Sequence, residues 1–283
     1  MRTTALPIQF RQQIPAGKKF FTLLDVLKEN RLNTVCEEAK CPNRTDCYAR
    51  GTLTFQILGD LCTRRCGFCA EKTGRPESVD LLEPRRILSA VQALKLSHVV
   101  LTAPARDDLK DGGASQFSKT VQILKENFPE LTVEVLVSDL NGDPNSLNLV
   151  LESMPNIFNH NIETVKRLTL KVRAKATYER TLEVLKFASL YQPKIKTKSG
   201  LMVGLGENRE EILETMTDLK EANVQFLTIG QYLRPSDQHL PMERYYSIHE
   251  FNEIRAQALS LGFEKVLSGS LVRSSYHADE YIK

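Results

Sequence analysis

All six cysteines of this 283-residue chain lie in one short stretch, in two groups of three. The spacings are Cys36-x4-Cys41-x5-Cys47 and Cys62-x3-Cys66-x2-Cys69. Cysteines spread through a short secreted chain would indicate disulfides, whereas cysteines concentrated in one part of a long chain favour metal binding. Neither group has the paired C-x2-C spacing that is usual for structural zinc sites. The cysteines therefore predict two metal centres of another kind.

Soft thiolate ligands at short spacings are typical of iron–sulfur clusters. Three thiolates can bind three corners of such a cluster and leave the fourth to another ligand. Each group of three cysteines thus predicts one incomplete coordination position. At a four-iron cluster, that position is open to a substrate or cofactor.

The elements that position these cysteines follow from the hydrophobic pattern, in which short apolar or β-branched runs alternate with longer amphipathic segments. The predicted strands are Thr54–Leu58, His98–Thr102, Thr132–Leu136, Ile157–His160, Thr197–Met202, Phe226–Gly230 and Lys265–Leu267. The predicted helices are Pro84–Leu96, Ala114–Asn127, Pro144–Ser153, Thr164–Leu170, Tyr178–Leu190, Arg209–Ala222 and Ile248–Leu261, with a helix-like segment at Phe20–Asn30. This alternation predicts βα units around a parallel sheet, either open and doubly wound or a full or partial barrel.

The second cysteine group directly follows the first strand of this repeating pattern, Thr54–Leu58. Parallel α/β folds carry their reactive groups at the C-terminal ends of the strands. The loop containing Cys62, Cys66 and Cys69 is therefore expected at the functional edge of the sheet.

Composition excludes several classes of protein. Lysine and arginine total 38 against 35 aspartates and glutamates, and 41% of the residues are hydrophobic, as in globular domains. A net charge of +3 without a basic cluster rich in aromatics does not favour nucleic acid binding. The apolar run Phe226–Leu233 is far shorter than the ~20 residues that span a bilayer. The basic residues 1–24 faintly suggest a transit peptide but contain no serine and no secretory apolar core, so we expect a cytoplasmic protein.

The loop Cys62-Thr-Arg-Arg-Cys66-Gly-Phe68-Cys69 resembles the C-x3-C-x-aromatic-C loop of radical S-adenosylmethionine (SAM) enzymes. The resemblance implies an α/β fold, a partial (β/α)6-type TIM barrel with N- and C-terminal extensions. On this basis the barrel is expected at residues 51–262, with an N-terminal extension at 1–50 and a C-terminal extension at 263–283.

The first cysteine group narrows the resemblance to one family. Thr34-Val-Cys36-Glu-Glu-Ala-Lys-Cys41-Pro-Asn-Arg-Thr-Asp-Cys47 resembles the auxiliary-cluster motif of the lipoyl synthase family. The similarity covers roughly residues 14–279. It continues through Ile57-Leu-Gly-Asp60, Lys72-Thr-Gly-Arg-Pro76, Arg106-Asp-Asp-Leu109, Asp111-Gly-Gly113, Phe158-Asn-His-Asn-Ile-Glu-Thr164, Lys198-Ser-Gly-Leu-Met-Val-Gly-Leu-Gly-Glu207, Thr228-Ile-Gly-Gln-Tyr232 and Arg273-Ser-Ser-Tyr276.

This family resemblance implies two [4Fe-4S] clusters and SAM, which is consumed as a co-substrate. The cluster at Cys62, Cys66 and Cys69 would bind SAM and reduce it to methionine and a 5′-deoxyadenosyl radical. That radical would remove hydrogen from C6 and C8 of an octanoyl chain carried on a protein lysine. The cluster at Cys36, Cys41 and Cys47 would donate both sulfur atoms. Unactivated C–H bonds offer no handle for acid–base catalysis, so a radical cofactor must do this step.

The resemblance also implies roles for residues outside the cysteine groups. Ser275 would be the fourth ligand of the auxiliary cluster, with Ser274 as the neighbour that could take its place. The expected SAM contacts are Phe68, Asp111, Gly112, Gly113, Asn161, Glu163, Arg173 and Lys198, with Arg234 as a further candidate. By themselves the paired serines are typical of a cap or turn, Asp-Gly-Gly is typical of a turn, and the charged residues are typical of solvated surface. Both interpretations stay open at this point.

The implied partners are octanoylated lipoyl carrier proteins, namely acyltransferase subunits of 2-oxoacid dehydrogenases and the glycine cleavage H protein. An electron donor such as ferredoxin or flavodoxin and an iron–sulfur carrier are also implied, and we expect a monomer with no membrane or nucleic acid partner. One alternative is another radical SAM enzyme, which inserts sulfur into biotin or modifies tRNA. Such an enzyme should lack both the Cys36 group and the Arg273–Tyr276 motif. A second alternative is a zinc module in an interaction protein, which leaves the βα alternation unexplained.

Overall fold

A computed structural model describes residues 18–50 and 52–281. Residues 1–17 of the predicted N-terminal extension, Gly51 and the last two residues of the predicted C-terminal extension lie outside the described residues. In the described part of the chain, every helix is too short or too polar to cross a lipid bilayer.

A mainly parallel sheet forms the centre of the fold. The strands are β1 (Asn33–Thr34), β2 (Thr54–Gln56), β3 (Leu61–Cys62), β4 (Lys72–Thr73), β5 (His98–Thr102), β6 (Thr132–Leu136), β7 (Ile157–Asn159), β8 (Lys196–Val203), β9 (Phe226–Gln231) and β10 (Lys265–Gly269). The main sheet has the order β1-β2-β5-β6-β7-β8-β9-β10, and β3 pairs separately with β4. All neighbours from β2 to β10 are parallel, whereas β1 is antiparallel to β2.

The first three helices of the described chain precede the first parallel strand, and the others connect successive parallel strands. The helices are α1 (Lys18–Glu29), α2 (Val35–Glu38), α3 (Arg44–Arg50), α4 (Glu83–Leu94), α5 (Ala114–Asn127), α6 (Pro144–Glu152), α7 (Thr169–Val172), α8 (Tyr178–Tyr191), α9 (Arg209–Glu221) and α10 (Ile248–Ser260). Capping boxes fix the starts of α9 and α10, through Asn208 with Glu211 and Ser247 with Glu250. The alternation of strands and helices confirms the predicted α/β partial barrel.

Burial on both faces explains the apolar strands. Every residue of β9 is buried, as expected for a parallel strand covered on both sides. The sheet also continues into the segment expected as a C-terminal extension, because β10 pairs with β9 over five residues from Lys265↔Phe226 to Gly269↔Gly230. The barrel therefore contains seven parallel strands among the described residues.

One predicted helix, Thr164–Leu170, is wrong. The chain instead forms a 3-10 turn at Lys166–Leu168 followed by the short helix α7. Glu163 pairs with β8 beyond the end of β7, since its backbone N–H donates to Gly200 and its carbonyl accepts from Met202. This extra pairing holds the chain extended and delays the start of the helix.

Candidate active site

A cavity of about 560 Å³ opens at the C-terminal ends of the parallel strands. Its lining includes all six cysteines, the ends of β5, β8 and β9, and the segment from Val272 to Tyr276. The two cysteine groups, 14 residues apart at their nearest members, thus face a common space. A cavity of this volume is large enough for a cofactor-sized ligand.

Backbone amides point at the sulfurs of the second cysteine group. The N–H of Arg64 donates to the Sγ of Cys62, and the N–H of Ala174 donates to the Sγ of Cys66, each at 3.3 Å. Burial raises the pKa of both the Cys66 and the Cys69 thiols. Amide hydrogen bonds of this kind stabilise thiolate sulfur and tune the potential of an iron–sulfur cluster. Metal binding would release the thiol protons.

A buried network of ion pairs fixes the loop that contains Cys62, Cys66 and Cys69. Arg64 contacts Asp107 and Asp139, each with a shortest distance of 2.7 Å. Asp139 is fully buried and also pairs with Arg180 at 3.2 Å. These carboxylates lie beyond the ends of β5 and β6, so the network fixes the loop against two strands. Sequence reasoning missed it, although Asp107 lies in the Arg106-Asp-Asp motif and Asp139 follows a predicted strand.

Residues 234–240 also hold this loop in place. The N–H of Leu240 donates to the carbonyl of Gly67 at 2.9 Å, and the Nε2 of His239 lies 3.0 Å from the carbonyl oxygen of Cys69. Arg234 lines the cavity, but its guanidinium is bonded to Asp237 and to the backbone of this segment. Arg234 therefore stabilises the conformation of the segment that contacts the second cysteine loop.

The first cysteine group is built on two short helices of the N-terminal extension. Cys36 lies in α2, Cys47 lies in α3, and Cys41 lies in the connection between them. Burial, together with the neighbouring thiols, raises the pKa of Cys36 to about 11 and that of Cys47 to about 12. Cys41 is thus close enough to both thiols to act on their ionisation. Without a metal, the Cys36 and Cys47 thiols are protonated at neutral pH.

The C-terminal segment completes this side of the cavity. Asn43 donates from its Nδ2 to the carbonyl of Leu271 at 2.5 Å, which joins the segment to the first cysteine group. The C-terminal segment approaches the barrel so closely that glycine is needed at Gly200 in β8 and at Gly230 in β9. A Cβ on Gly200 would lie 2.9 Å from the Oγ of Ser274, and a Cβ on Gly230 would collide with the carbonyl of Val272.

The two adjacent serines have different surroundings. The Oγ of Ser274 accepts a 2.6 Å hydrogen bond from the Nδ2 of Asn161. The hydroxyl of Ser275 makes no hydrogen bond within residues 18–50 and 52–281, and Ser275 lines the cavity beside Cys41 and Cys47. Ser275 is therefore the serine available to a ligand in the cavity.

Asn161, Glu163 and Arg173 lie together at the second cysteine group and line the cavity. Glu163 has a left-handed backbone with a φ of 67°, and its carboxylate accepts from the Nδ2 of Asn161 at 3.1 Å. Burial raises the pKa of Glu163, and nearby Arg173 opposes the rise. The Oδ1 of Asn161 is buried and has no hydrogen-bond partner in the described parts of the chain. This orphaned acceptor fits a hydroxyl donor from a ligand such as a ribose.

The structure does not bring the Asp-Gly-Gly segment to the cavity. Asp111 instead accepts from the N–H groups of Gly113 and Ser115 and from the Ser115 hydroxyl, which starts α5. Both Gly112 and Gly113 adopt left-handed conformations in this turn, and a Cβ on Gly113 would collide with Leu58. This segment forms a turn that begins α5, and the expectation that it receives SAM is revised accordingly.

Lys198 is also placed elsewhere. Its side chain is fully buried inside the barrel, where the Nζ lies 3.1 Å from both carboxylate oxygens of Glu134. The ring of Tyr281 covers the ammonium group at 4.1 Å. Lys198 does not line the cavity, whereas Arg173, the other cation expected to bind the SAM carboxylate, does.

The donor set at the cavity fits iron–sulfur clusters, because soft thiolates are their usual ligands. All six cysteines line the cavity of about 560 Å³. Phe68 lies in the second cysteine loop and lines the cavity, where it packs against the apolar residues under β8 and β9.

Comparison with known proteins agrees with this geometry. Residues 57–219, more than half of the chain, match the radical SAM superfamily. A lipoyl synthase of Halalkalibacterium halodurans is 52% identical over 98% of this chain and 91% of its own length. Lipoyl synthases of Geobacillus kaustophilus (52% identity, 93% of its length) and Staphylococcus aureus (51%, 91%) also match 98% of this chain.

Solved structures show the same fold at low identity. SuiB of Streptococcus suis, bound to its precursor peptide, matches with a TM-score of 0.58 at 11% identity over 88% of this chain and 52% of its own. Methylornithine synthase matches with a TM-score of 0.50 at 15% identity over 81% of this chain and 77% of its own. The full-length sequence matches, together with the two cysteine groups at one cavity, show that the chain belongs to the lipoyl synthase family of radical SAM enzymes.

Proposed function

We propose that this enzyme inserts sulfur at C6 and C8 of an octanoyl chain on a lysine of a lipoyl carrier protein, with the residues of this cavity in the roles given below. The observation that carries the proposal is that two separate three-cysteine groups line the same cavity, together with a serine hydroxyl that has no partner among the described residues. One group alone would suffice for radical generation. A second group at the same cavity supplies a sulfur donor within reach of the substrate.

Cys62, Cys66 and Cys69 hold the first [4Fe-4S] cluster. When bound, this cluster and SAM supply the radical that removes hydrogen from an unactivated C–H bond. Arg173 supplies positive charge next to Cys66, where a SAM carboxylate would bind. Asn161 and Glu163 offer an orphaned amide oxygen and a carboxylate to the ribose hydroxyls. Phe68 provides an apolar surface and backbone groups beside the adenine.

Cys36, Cys41, Cys47 and Ser275 hold the second [4Fe-4S] cluster. A hard alkoxide oxygen is an unusual ligand for a soft cluster. We infer that Ser275 makes its iron easier to release as sulfur is withdrawn. The role of Ser274 is to fix this segment against the barrel through Asn161.

The finer partners are also part of the proposal. Acyltransferase subunits of 2-oxoacid dehydrogenases and the glycine cleavage H protein would present the octanoyl-lysine to the cavity. A ferredoxin or flavodoxin would supply electrons, an iron–sulfur carrier would rebuild the consumed cluster, and the enzyme would act as a monomer. All six thiols are free, which suits a reducing compartment such as the cytoplasm.

The direct test is an anaerobic assay with the reconstituted enzyme, SAM, dithionite and an octanoylated carrier domain. Mass spectrometry should show the octanoyl-lysine converted to dihydrolipoyl-lysine, with one 5′-deoxyadenosine formed for each C–H bond cleaved. Formation of 5′-deoxyadenosine without sulfur in the carrier would leave a radical SAM enzyme and contradict the sulfur-donor role of the Cys36 group.

A further inference from the structure

The arginines that line the cavity differ in the partners of their side chains. Arg64 pairs with Asp107 and Asp139, and Arg234 pairs with Asp237 at 3.1 Å. Arg173 has no carboxylate within ion-pair distance among the described residues, but its Nη1 donates to the Thr181 hydroxyl at 2.7 Å. In the described ranges of the chain, Arg273 has no carboxylate within ion-pair distance. Its one side-chain hydrogen bond is a 2.7 Å contact from Nη1 to the carbonyl of Val272, its own neighbour.

Arg273 is partly buried at the wall of the cavity. Its Nη1 would lie 3.3 Å from a Cβ on Gly230, so the glycine at the end of β9 makes room for the guanidinium. A guanidinium has five donors, and among the described residues only one of them is used, in the bond to Val272. The geometry therefore leaves donors of Arg273 available to an anion in the cavity.

We propose that Arg273 is a positioning residue for the auxiliary cluster, whose negative charge it balances through hydrogen bonds to cluster or cysteine sulfur. This inference rests on the proposed function, because it needs a cluster at Cys36, Cys41 and Cys47. Thiolate and sulfide ligands make such a cluster anionic. Hydrogen bonds between charged donors and acceptors are stronger than neutral ones, and bonds to sulfur tune cluster potential.

The location of Arg273 favours the auxiliary cluster over the SAM carboxylate. Arg273 and Cys41 line the same cavity, and Arg273 directly precedes Ser274 and Ser275 in the segment that Asn43 joins to the first cysteine group. Arg173 already provides a cation beside Cys66. Loss of Arg273 should therefore act on one cluster and spare SAM binding.

The test compares Arg273→Met, Arg273→Lys and, as a control, Arg255→Met. Arg255 is an exposed arginine on α10 that also bonds to a backbone carbonyl, that of Val266 at 3.1 Å, but lies outside the cavity. Each change is made in full-length chains with Cys62, Cys66 and Cys69 replaced by alanine, so that only the auxiliary cluster is loaded. The readouts are the reduction potential of that cluster and the rate at which a chelator removes its iron.

Arg273→Met should shift the potential to more negative values and speed iron release by about tenfold or more, the scale of one charged hydrogen bond. Arg273→Lys keeps the charge and should retain most of the wild-type potential. Arg255→Met should change neither value. An unchanged potential and release rate in Arg273→Met would overturn the inference. Weaker SAM binding by otherwise wild-type enzyme carrying Arg273→Met, with auxiliary potential unchanged, would assign Arg273 to SAM and also overturn it.

Thermal unfolding of the cluster-free protein separates charge balance from simple packing. Without a cluster, the Arg273 guanidinium bonds only to the carbonyl of Val272 among the described residues, so Arg273→Met should unfold at the same or a higher temperature than wild type. A residue needed only for packing would lower the unfolding temperature with or without the cluster, and that result would contradict the inference. Failure of the proposed function would look different, because the wild-type Cys36 group would then bind no cluster at all.

Discussion

The Nδ2 of Asn161 donates a 2.6 Å hydrogen bond to the Oγ of Ser274, across 113 residues of sequence. The same Nδ2 also donates to Glu163 at 3.1 Å, so one amide joins the SAM side of the cavity to the segment beside the auxiliary cluster. This bond distinguishes two serines that the sequence alone leaves equivalent. Ser274 is bonded to the barrel, and Ser275 remains available as a ligand.

Replacement of each serine should therefore have a different result. Ser275→Ala should lower the iron and sulfide of the auxiliary cluster, whereas Ser274→Ala should keep both, because the ligand remains. Ser275→Cys should preserve the cluster and suppress turnover, since a thiolate holds iron more firmly than an alkoxide. Metal analysis and lipoyl formation measure these outcomes. Full turnover by Ser275→Cys would contradict the role given to the serine.

Gly230 should be essential for docking the C-terminal segment. A Cβ at this position would collide with the carbonyl of Val272, so Gly230→Ala should displace Ser275 and lower auxiliary-cluster occupancy. Gly269 is the matched control because it pairs with Gly230 in the neighbouring strand, and its Cβ would make an ordinary 3.4 Å contact with Val272. Iron content after reconstitution is the measurement. Equal occupancy in both variants would show that the segment does not depend on this approach.

Lys198 should matter for stability and little for SAM. Lys198→Met leaves the buried carboxylate of Glu134 without its partner and should cost about 3–5 kcal/mol in the free energy of unfolding. The double variant Lys198→Met with Glu134→Gln should recover most of this loss, because glutamine can still accept from the Nδ2 of Asn159. Urea unfolding measures the first effect. If the folded double variant bound SAM much more weakly, Lys198 would have to contact SAM directly.

His160 should make the stability pH-dependent. It is buried, its Nδ1 lies 2.9 Å from the carbonyl of Val137, and its Nε2 lies 3.2 Å from the Oγ1 of Thr181. Burial lowers its pKa from 6.5 to about 4, so the folded protein keeps it neutral where the unfolded chain binds a proton. The free energy of unfolding should thus fall by about 3 kcal/mol as the pH drops through this window.

His160→Gln should remove this contribution and flatten the dependence of stability on pH between 6.5 and about 4. Unfolding titrations of both proteins at several pH values provide the comparison. Parallel pH profiles for wild type and variant would mean that other groups account for the acid sensitivity.

Much of the fold could be predicted because local patterns agree with the long-range arrangement. The runs of β5 and β6 match their predicted bounds because both strands are buried almost throughout, and α5 matches because it buries one periodic face. The helix at Thr164–Leu170 failed because Glu163 pairs with β8, a contact that periodicity does not show. Long-range pairing overrode local propensity there.

The candidate site, like the fold, could be predicted only in part from the sequence. The cysteine spacings predicted two groups of thiols at the functional edge of the sheet, and both groups line the cavity there. The sequence did not show that Asp111 starts a helix or that Lys198 lies inside the barrel with Glu134, because both depend on partners far along the chain. It also gave no role to Gly230 or Arg273, which lie where the C-terminal segment crosses β9.

The central claim is that the chain carries two independent [4Fe-4S] clusters, one of which supplies sulfur. The most direct measurement is iron and acid-labile sulfide per chain after anaerobic reconstitution. Wild type is compared with a variant in which Cys36, Cys41 and Cys47 are all replaced by alanine. The account predicts about eight irons in wild type and about four in the variant, as two four-iron clusters require. About four irons in both proteins would remove the sulfur donor and contradict the account.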